Sequence, residues 1–99
     1  MTTKIEWDEA KNKINQQKHK ISFEVASHVF DDPFALVHQD RYENGEHRWQ
    51  TIGMVAGVLV LLVAHTVFFN EDREVIRIIS ARRAEKNERK RYEKAISHR

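Results

Sequence analysis

Residues 52–69 read IGMVAGVLVLLVAHTVFF, and the fold turns on whether this run crosses a membrane or fills the inside of a globule. It holds no Asp, Glu, Lys or Arg, and its polar side chains are His65 and Thr66. A spanning helix takes about 20 apolar residues, so the run is marginal in length. Gly53 and Gly57 interrupt its first third, and the rest is rich in Val and Phe with Ile and Thr, residues that suit strands. Met54-Val55-Ala56-Gly57 reads as a tight connection between two extended segments, one ending near Val55 and one running from Val58 to Phe69. Val58 to Val63 is apolar on both faces, as expected of a strand in the middle of a sheet. The run is a core.

Ninety-nine residues suit one domain, 1–99, with a modest core. Apolar residues make up 40% and charged residues 32%, the balance of a globular chain. There is no cysteine, which excludes disulfides and thiolate metal sites. The N-terminus MTTKIEWDEAKNK has no apolar run after its first charge, so no secretory signal is read and a cytoplasmic location is expected. The net charge of +2 hides an asymmetry. Residues 75–99 carry nine Lys/Arg against three Asp/Glu, whereas residues 1–74 carry eight against twelve. A basic last quarter suits an anionic partner such as nucleic acid, or equally a solvated outer helix face.

Around the central pair of strands, Lys4 to Trp7 is a short extended candidate. Asp8 then caps a helix over EAKNKINQQKH, with Ala10 and Ile14 on one face. Ser22 caps a second helix with Phe23, Ala26, Val29 and Phe30 as its apolar stripe, and Asp31-Asp32-Pro33 stops it. ALVHQD (35–40) and HRWQTIGMV (47–55) read as strands joined through an Asn44-Gly45 turn. EVIRIISA (74–81) is a further strand, and ARRAEKNERKRYEKAI (81–96) a helix with Ala84, Tyr92 and Ile96 toward the sheet. The expected fold is α+β: an antiparallel sheet of about four strands with two N-terminal helices and a C-terminal one.

Several polar residues stand out against this frame. Arg77 sits among Val75, Ile76, Ile78 and Ile79, where a charge is costly unless it pairs with an acid on a neighbouring element or binds an anion. Strict alternation puts Arg77 with Val75 and Ile79, and Arg82 on the face of Ile76 and Ile78. Arg48 shares its strand face with Gln50, Ile52 and Met54. If Arg48 and Arg77 face the same way, they form a two-pronged clamp for phosphate. His19, after Lys18 at the end of the first helix, either answers the helix dipole or acts as an acid or base. Glu43 and Glu46 could each be a base or a partner of Arg48. Tyr92 reads as packing on the sheet, and Trp7 and Trp49 as core or stacking platforms. No zinc spacing, phosphate loop or serine elbow appears, so no metal or other cofactor is expected.

EWD (6–8), KH (18–19), VFDDP (29–33), GExR (45–48), RIISAR (77–82) and ERxxYE (88–93), taken together, resemble BrnT toxins of bacterial type II toxin–antitoxin modules, from about Ile5 to Glu93. The resemblance implies a RelE-like fold and toxicity through RNA cleavage that arrests translation. It also implies a ribbon-helix-helix, BrnA-like antitoxin that blocks the toxin and jointly represses the operon. Operator DNA is then reached only through that complex, in which the toxin could be dimeric. Metal-free cleavage uses the RNA's own 2′-OH as nucleophile, and cations aimed at the phosphate supply the largest share of catalysis. Arg48, Arg77 and Arg82 become the candidate cations with Lys18 assisting, and His19 or Glu46 the base. Arg83 and Tyr92, by position in the pattern, and Lys90 and Arg91 on the basic last helix become RNA contacts. Two departures stand out: Lys20 follows the KH pair where the family usually has glycine, and HTVFF (65–69) stands where it usually reads close to YTxR. A gyrase poison of the same fold and a non-catalytic nucleic-acid-binding module are the competing readings.

Overall fold

A computed structural model describes residues 2–97. Five strands, β1 (Thr2–Glu6), β2 (Leu36–Glu43), β3 (Glu46–Val55), β4 (Leu59–Asn70) and β5 (Arg73–Arg83), form one sheet in the order β1-β5-β4-β3-β2. Neighbours are antiparallel except β1, which runs parallel to β5. The fifth strand is the N-terminal segment expected to be extended, added to the edge of the sheet. Residues 52–69 are the end of β3, a turn and most of β4, the central strand, and no helix among the described residues is long and apolar enough to cross a membrane.

The turn chemistry is local. Asn44 and Gly45 both have positive φ, the geometry of a tight β2–β3 hairpin, and Ala56 and Gly57 do the same between β3 and β4. Helix α1 (Glu9–His19) starts at Asp8, whose side chain accepts from the Ala10 and Lys11 N–H groups. It ends with Lys20 in the left-handed region at φ 60°. Ser22 caps the short α2 (Phe23–Ala26), which continues into a 3-10 helix over Ser27–Asp31.

The sheet buries both faces, unequally. On one, Leu61, Val63, Ile78 and Ala81 meet Phe23, Ala26 and Val29. The 3-10 helix approaches closely enough that a Cβ on Gly53 would lie 2.9 Å from the Val29 Cβ. On the other, Ile52 and Leu62 meet Tyr92 and Ile96 of α3 (Lys86–Ser97). Because β5 runs on to Arg83, α3 starts five residues later than the sequence pattern suggests.

Helix α1 inverts its expected face. Ala10 is exposed and Ile14 is 62% exposed, while Asn12 and Asn15 are buried. The reason is the sheet edge: β1 covers β5 only from Arg73 to Arg77. Beyond it, Asn15 accepts from the Ala81 N–H and donates to the Ala81 carbonyl, taking the place of a strand. Asn12 likewise accepts from the Phe23 N–H. A helix that satisfies backbone buries amides rather than aliphatics.

Candidate functional site

Strand register settles which residues share a face. Arg48 pairs with Thr66, Thr66 with Arg77, and Arg77 with Glu6. On the other side Arg48 pairs with Arg41. Directly paired residues project to the same face, so Arg41, Arg48, Thr66, Arg77 and Glu6 form one row across all five strands. Arg48 and Arg77 lie on next-nearest strands, with backbones about 10 Å apart at ordinary strand spacing. The adjoining row is His38, Gln50, Ala64 and Ser80, and the next is Leu36, Ile52, Leu62 and Arg82, where α3 takes over.

Two bulges assemble this face. Between Ala64 and His65 the β4–β5 register slips by one residue, leaving Ile79 unopposed. Arg77 and Arg82, which strict alternation separates, therefore face the same way. Asp40 is the extra residue in β2, and it turns Arg41 to the arginine face. Both bulges adjoin the Arg48–Thr66–Arg77 row, a place where bulges commonly re-aim side chains.

The arginines differ in what holds them. Arg82 donates to both Glu88 carboxylate oxygens, at 2.8 and 2.9 Å, and also lies near Glu85. The Glu88 bond raises the Arg82 pKa, and the same bond holds the Glu88 carboxyl below its usual range. Arg41 is 2.7 Å from Glu43. Arg77 has a looser ion pair, 3.5 Å from Glu6, with its side chain 46% exposed. It thus combines both readings of a strand arginine, an acidic neighbour and an open guanidinium. Among the described residues, the buried side-chain polar atoms without a hydrogen-bond partner in the protein are Arg48 Nε and Thr66 Oγ1. They sit side by side in the same row. Such orphaned groups are costly and call for a compensating role.

Other candidates fall at graded distances from this row. Glu46 shares the face two residues along β3 from Arg48. Lys18 and His19 line a groove with Ile79 and Ser80, outside the β5 edge. Arg91 of α3 lies against His38, with its Nη2 3.5 Å from Nδ1. Lys90 is exposed on α3. Arg83 projects to the opposite face, paired with Leu61. Tyr92 is 2% exposed, and its hydroxyl donates to Asp32 Oδ2, so it is closed off from the arginine face. Burial first, then Asp32, pushes its pKa up to about 12, which keeps it a neutral donor. His38, Arg41 and Ser80 went unnoticed in the sequence, and Gln50 and Thr66 were read there without a role in the site. Alternation from Leu36 could have placed His38 on this face, but the bulges hid Arg41 and the full row.

The sequence profile of the family described as "Ribonuclease toxin, BrnT, of type II toxin-antitoxin system" matches residues 7–88. The chain belongs to the BrnT family. It is thus of a family of ribonuclease toxins that work with an antitoxin. Among solved structures, the ribonuclease toxin BrnT of Brucella abortus is 24% identical, covers 87% of this chain and 100% of its own, and superposes with a TM-score of 0.65. That likeness is one of fold. No curated protein matches this BrnT sequence closely enough to count as a relative.

Proposed function

We propose that the arginine face of this BrnT-family chain is its ribonuclease site and that it cuts RNA without a metal, through the 2′-OH. The observation that carries the reading is the row Arg48–Thr66–Arg77, in which Arg48 Nε and the Thr66 hydroxyl lack partners and the Arg77 side chain is half-open. In such a reaction the 2′-oxygen attacks the adjacent phosphorus and the 5′-oxygen leaves. The products are a 2′,3′-cyclic phosphate and a 5′-hydroxyl. Arg48 and Arg77 grip the non-bridging oxygens and neutralise charge as the phosphorane develops. Glu46, on the same face, takes the 2′-OH proton in preference to His19, which lies beyond β5. Arg91 donates to His38 Nδ1, so the neutral ring offers its Nε2–H as a hydrogen bond to the departing oxygen, and water supplies the proton that completes the 5′-hydroxyl. Lys18, His19 and Lys90 border the track as further RNA contacts, while Arg82 holds α3 in place beside it.

The partner in this reading is a ribbon-helix-helix antitoxin that also carries the complex to operator DNA and represses the operon. Cleavage of translated RNA in the cytoplasm would arrest protein synthesis. Brief induction of the chain in a bacterial host, followed by mapping of 5′-hydroxyl RNA ends, tests the proposal. New ends are expected with the wild type, and Arg48→Ala or Arg77→Ala should lower their yield by on the order of 10²-fold each. Unchanged cleavage in both variants would remove the site from this face. Growth arrest with intact RNA and damaged DNA would replace it with the gyrase reading.

A further inference from the structure

The exposed apolar residues of the strands sort by face. Val37, Tyr42 and Phe69 pair with residues of the face opposite the arginines. Phe68 does not. It lies two positions along β4 from Thr66, on the same side, and is 42% exposed. Its row continues to the buried Val75 and then to Lys4. One open aromatic ring therefore stands beside Val75, on a face that also carries Lys4, Arg48 and Arg77, about 7 Å along the strand from the phosphate-gripping row. Water favours neither its exposure nor its company. A nucleobase satisfies both, since every base offers a π-face and its phosphates seek the neighbouring cations.

We infer that Phe68 is the stacking platform for the base next to the phosphate gripped by Arg48 and Arg77, so the site takes unpaired, single-stranded RNA. This rests on the reading of the arginine face as the RNA site. The ring cannot reach a base that is stacked within a duplex, so duplex RNA gains nothing from it. Stacking is also indifferent to salt, whereas each phosphate contact adds to the salt dependence. The two kinds of contact can thus be told apart in one titration.

The test uses the full chain and 2′-O-methyl oligoribonucleotides, which bind without being cut, carrying one 2-aminopurine. Fluorescence quenching reports stacking, and affinity is measured at several salt concentrations. Phe68→Ala should weaken single-strand binding roughly 5- to 100-fold with the salt slope unchanged and the quenching lost. Phe68→Leu should behave like alanine although it keeps apolar area, and Phe68→Trp should restore both signals. Duplex binding should not respond to any of them. Arg77→Ala should instead lower the salt slope by about 1 and keep the quenching in the bound state. Thermal melts identify any variant that loses the fold, and the Phe68→Trp variant then carries the comparison. Wild-type affinity and quenching in Phe68→Leu, beside a weakened Arg77→Ala, would overturn the stacking role and leave the arginine face standing. Binding indifferent to Arg48, Arg77 and Phe68 alike would overturn both.

Discussion

Burial takes the His65 imidazole down to about 4, against a hydrogen bond to the Thr66 carbonyl that acts the other way. Its environment fixes the tautomer: a carbonyl only accepts, so Nδ1–H donates to Thr66, and Nε2 accepts from the Thr51 hydroxyl at 2.7 Å. Phe30 closes over the ring edge-to-face at 5.0 Å. The unfolded chain protonates its histidine near 6.5, above the folded value, so the unfolded state binds more protons between the two. Stability is therefore full above about pH 6.5 and falls as the pH drops toward 4, by up to about 3 kcal/mol. Urea melts across that range should show the decline, and His65→Gln should flatten its part of it. The same residue carries one of the family departures, and its neighbour Thr66 stands in the arginine row. Buried histidine and orphaned threonine are adjacent in sequence and face opposite ways.

Among the elements, the end of α1 shows what the other departure costs. Lys20 adopts φ 60° and ψ 25° and its N–H returns to the Gln16 carbonyl, the geometry in which helices favour glycine. The turn is kept although the residue differs, so strain replaces a change of shape. Lys20→Gly should raise stability by about 0.5–1 kcal/mol, read as a higher urea midpoint at unchanged slope. A lower midpoint would mean that the Lys20 Nζ bond to the Gln17 carbonyl outweighs the backbone relief. The strands teach the complementary lesson. Apolar pattern and turn residues placed the β3–β4 connection within Met54-Val55-Ala56-Gly57, and the structure puts the positive-φ turn at Ala56 and Gly57, because a break in a β-branched run is a local property. A one-residue bulge is set by how two strands pair, and no feature of RIISAR marks Ile79 as the residue left unopposed.

Across the whole molecule, the motifs that carry the resemblance supply fasteners of the fold. Arg82 grips Glu88, and Glu88 also accepts from the Glu85 N–H to close the first turn of α3. Asp32 of VFDDP accepts from the Tyr92 hydroxyl and from the Met54 N–H, tying the 3-10 segment, α3 and β3 at one point. Helix α3 is thereby held over one end of the arginine face and leaves the rest open. Tyr92→Phe removes a bond to a carboxylate without opening a cavity, so it should cost about 1–3 kcal/mol while folded protein keeps cutting RNA. Loss of cleavage at full stability would return Tyr92 to the chemistry.

The sequence by itself determined the strands, the hairpin turns, the helix caps at Asp8 and Ser22, and the arginines as candidate anion ligands. Each follows from side-chain preferences over a few neighbouring residues or from the cost of burying a charge. Only the tertiary structure decided that α1 buries Asn12 and Asn15 instead of Ala10 and Ile14, because the need came from the uncovered backbone of β5. It likewise decided that Arg48 and Arg77 share Thr66, that Arg82 joins their face, and that Tyr92 is buried at the end of that face with its hydroxyl on Asp32. Register and bulges are properties of strands that meet from far apart in the chain, and the free energy that selects them lies in the pairing.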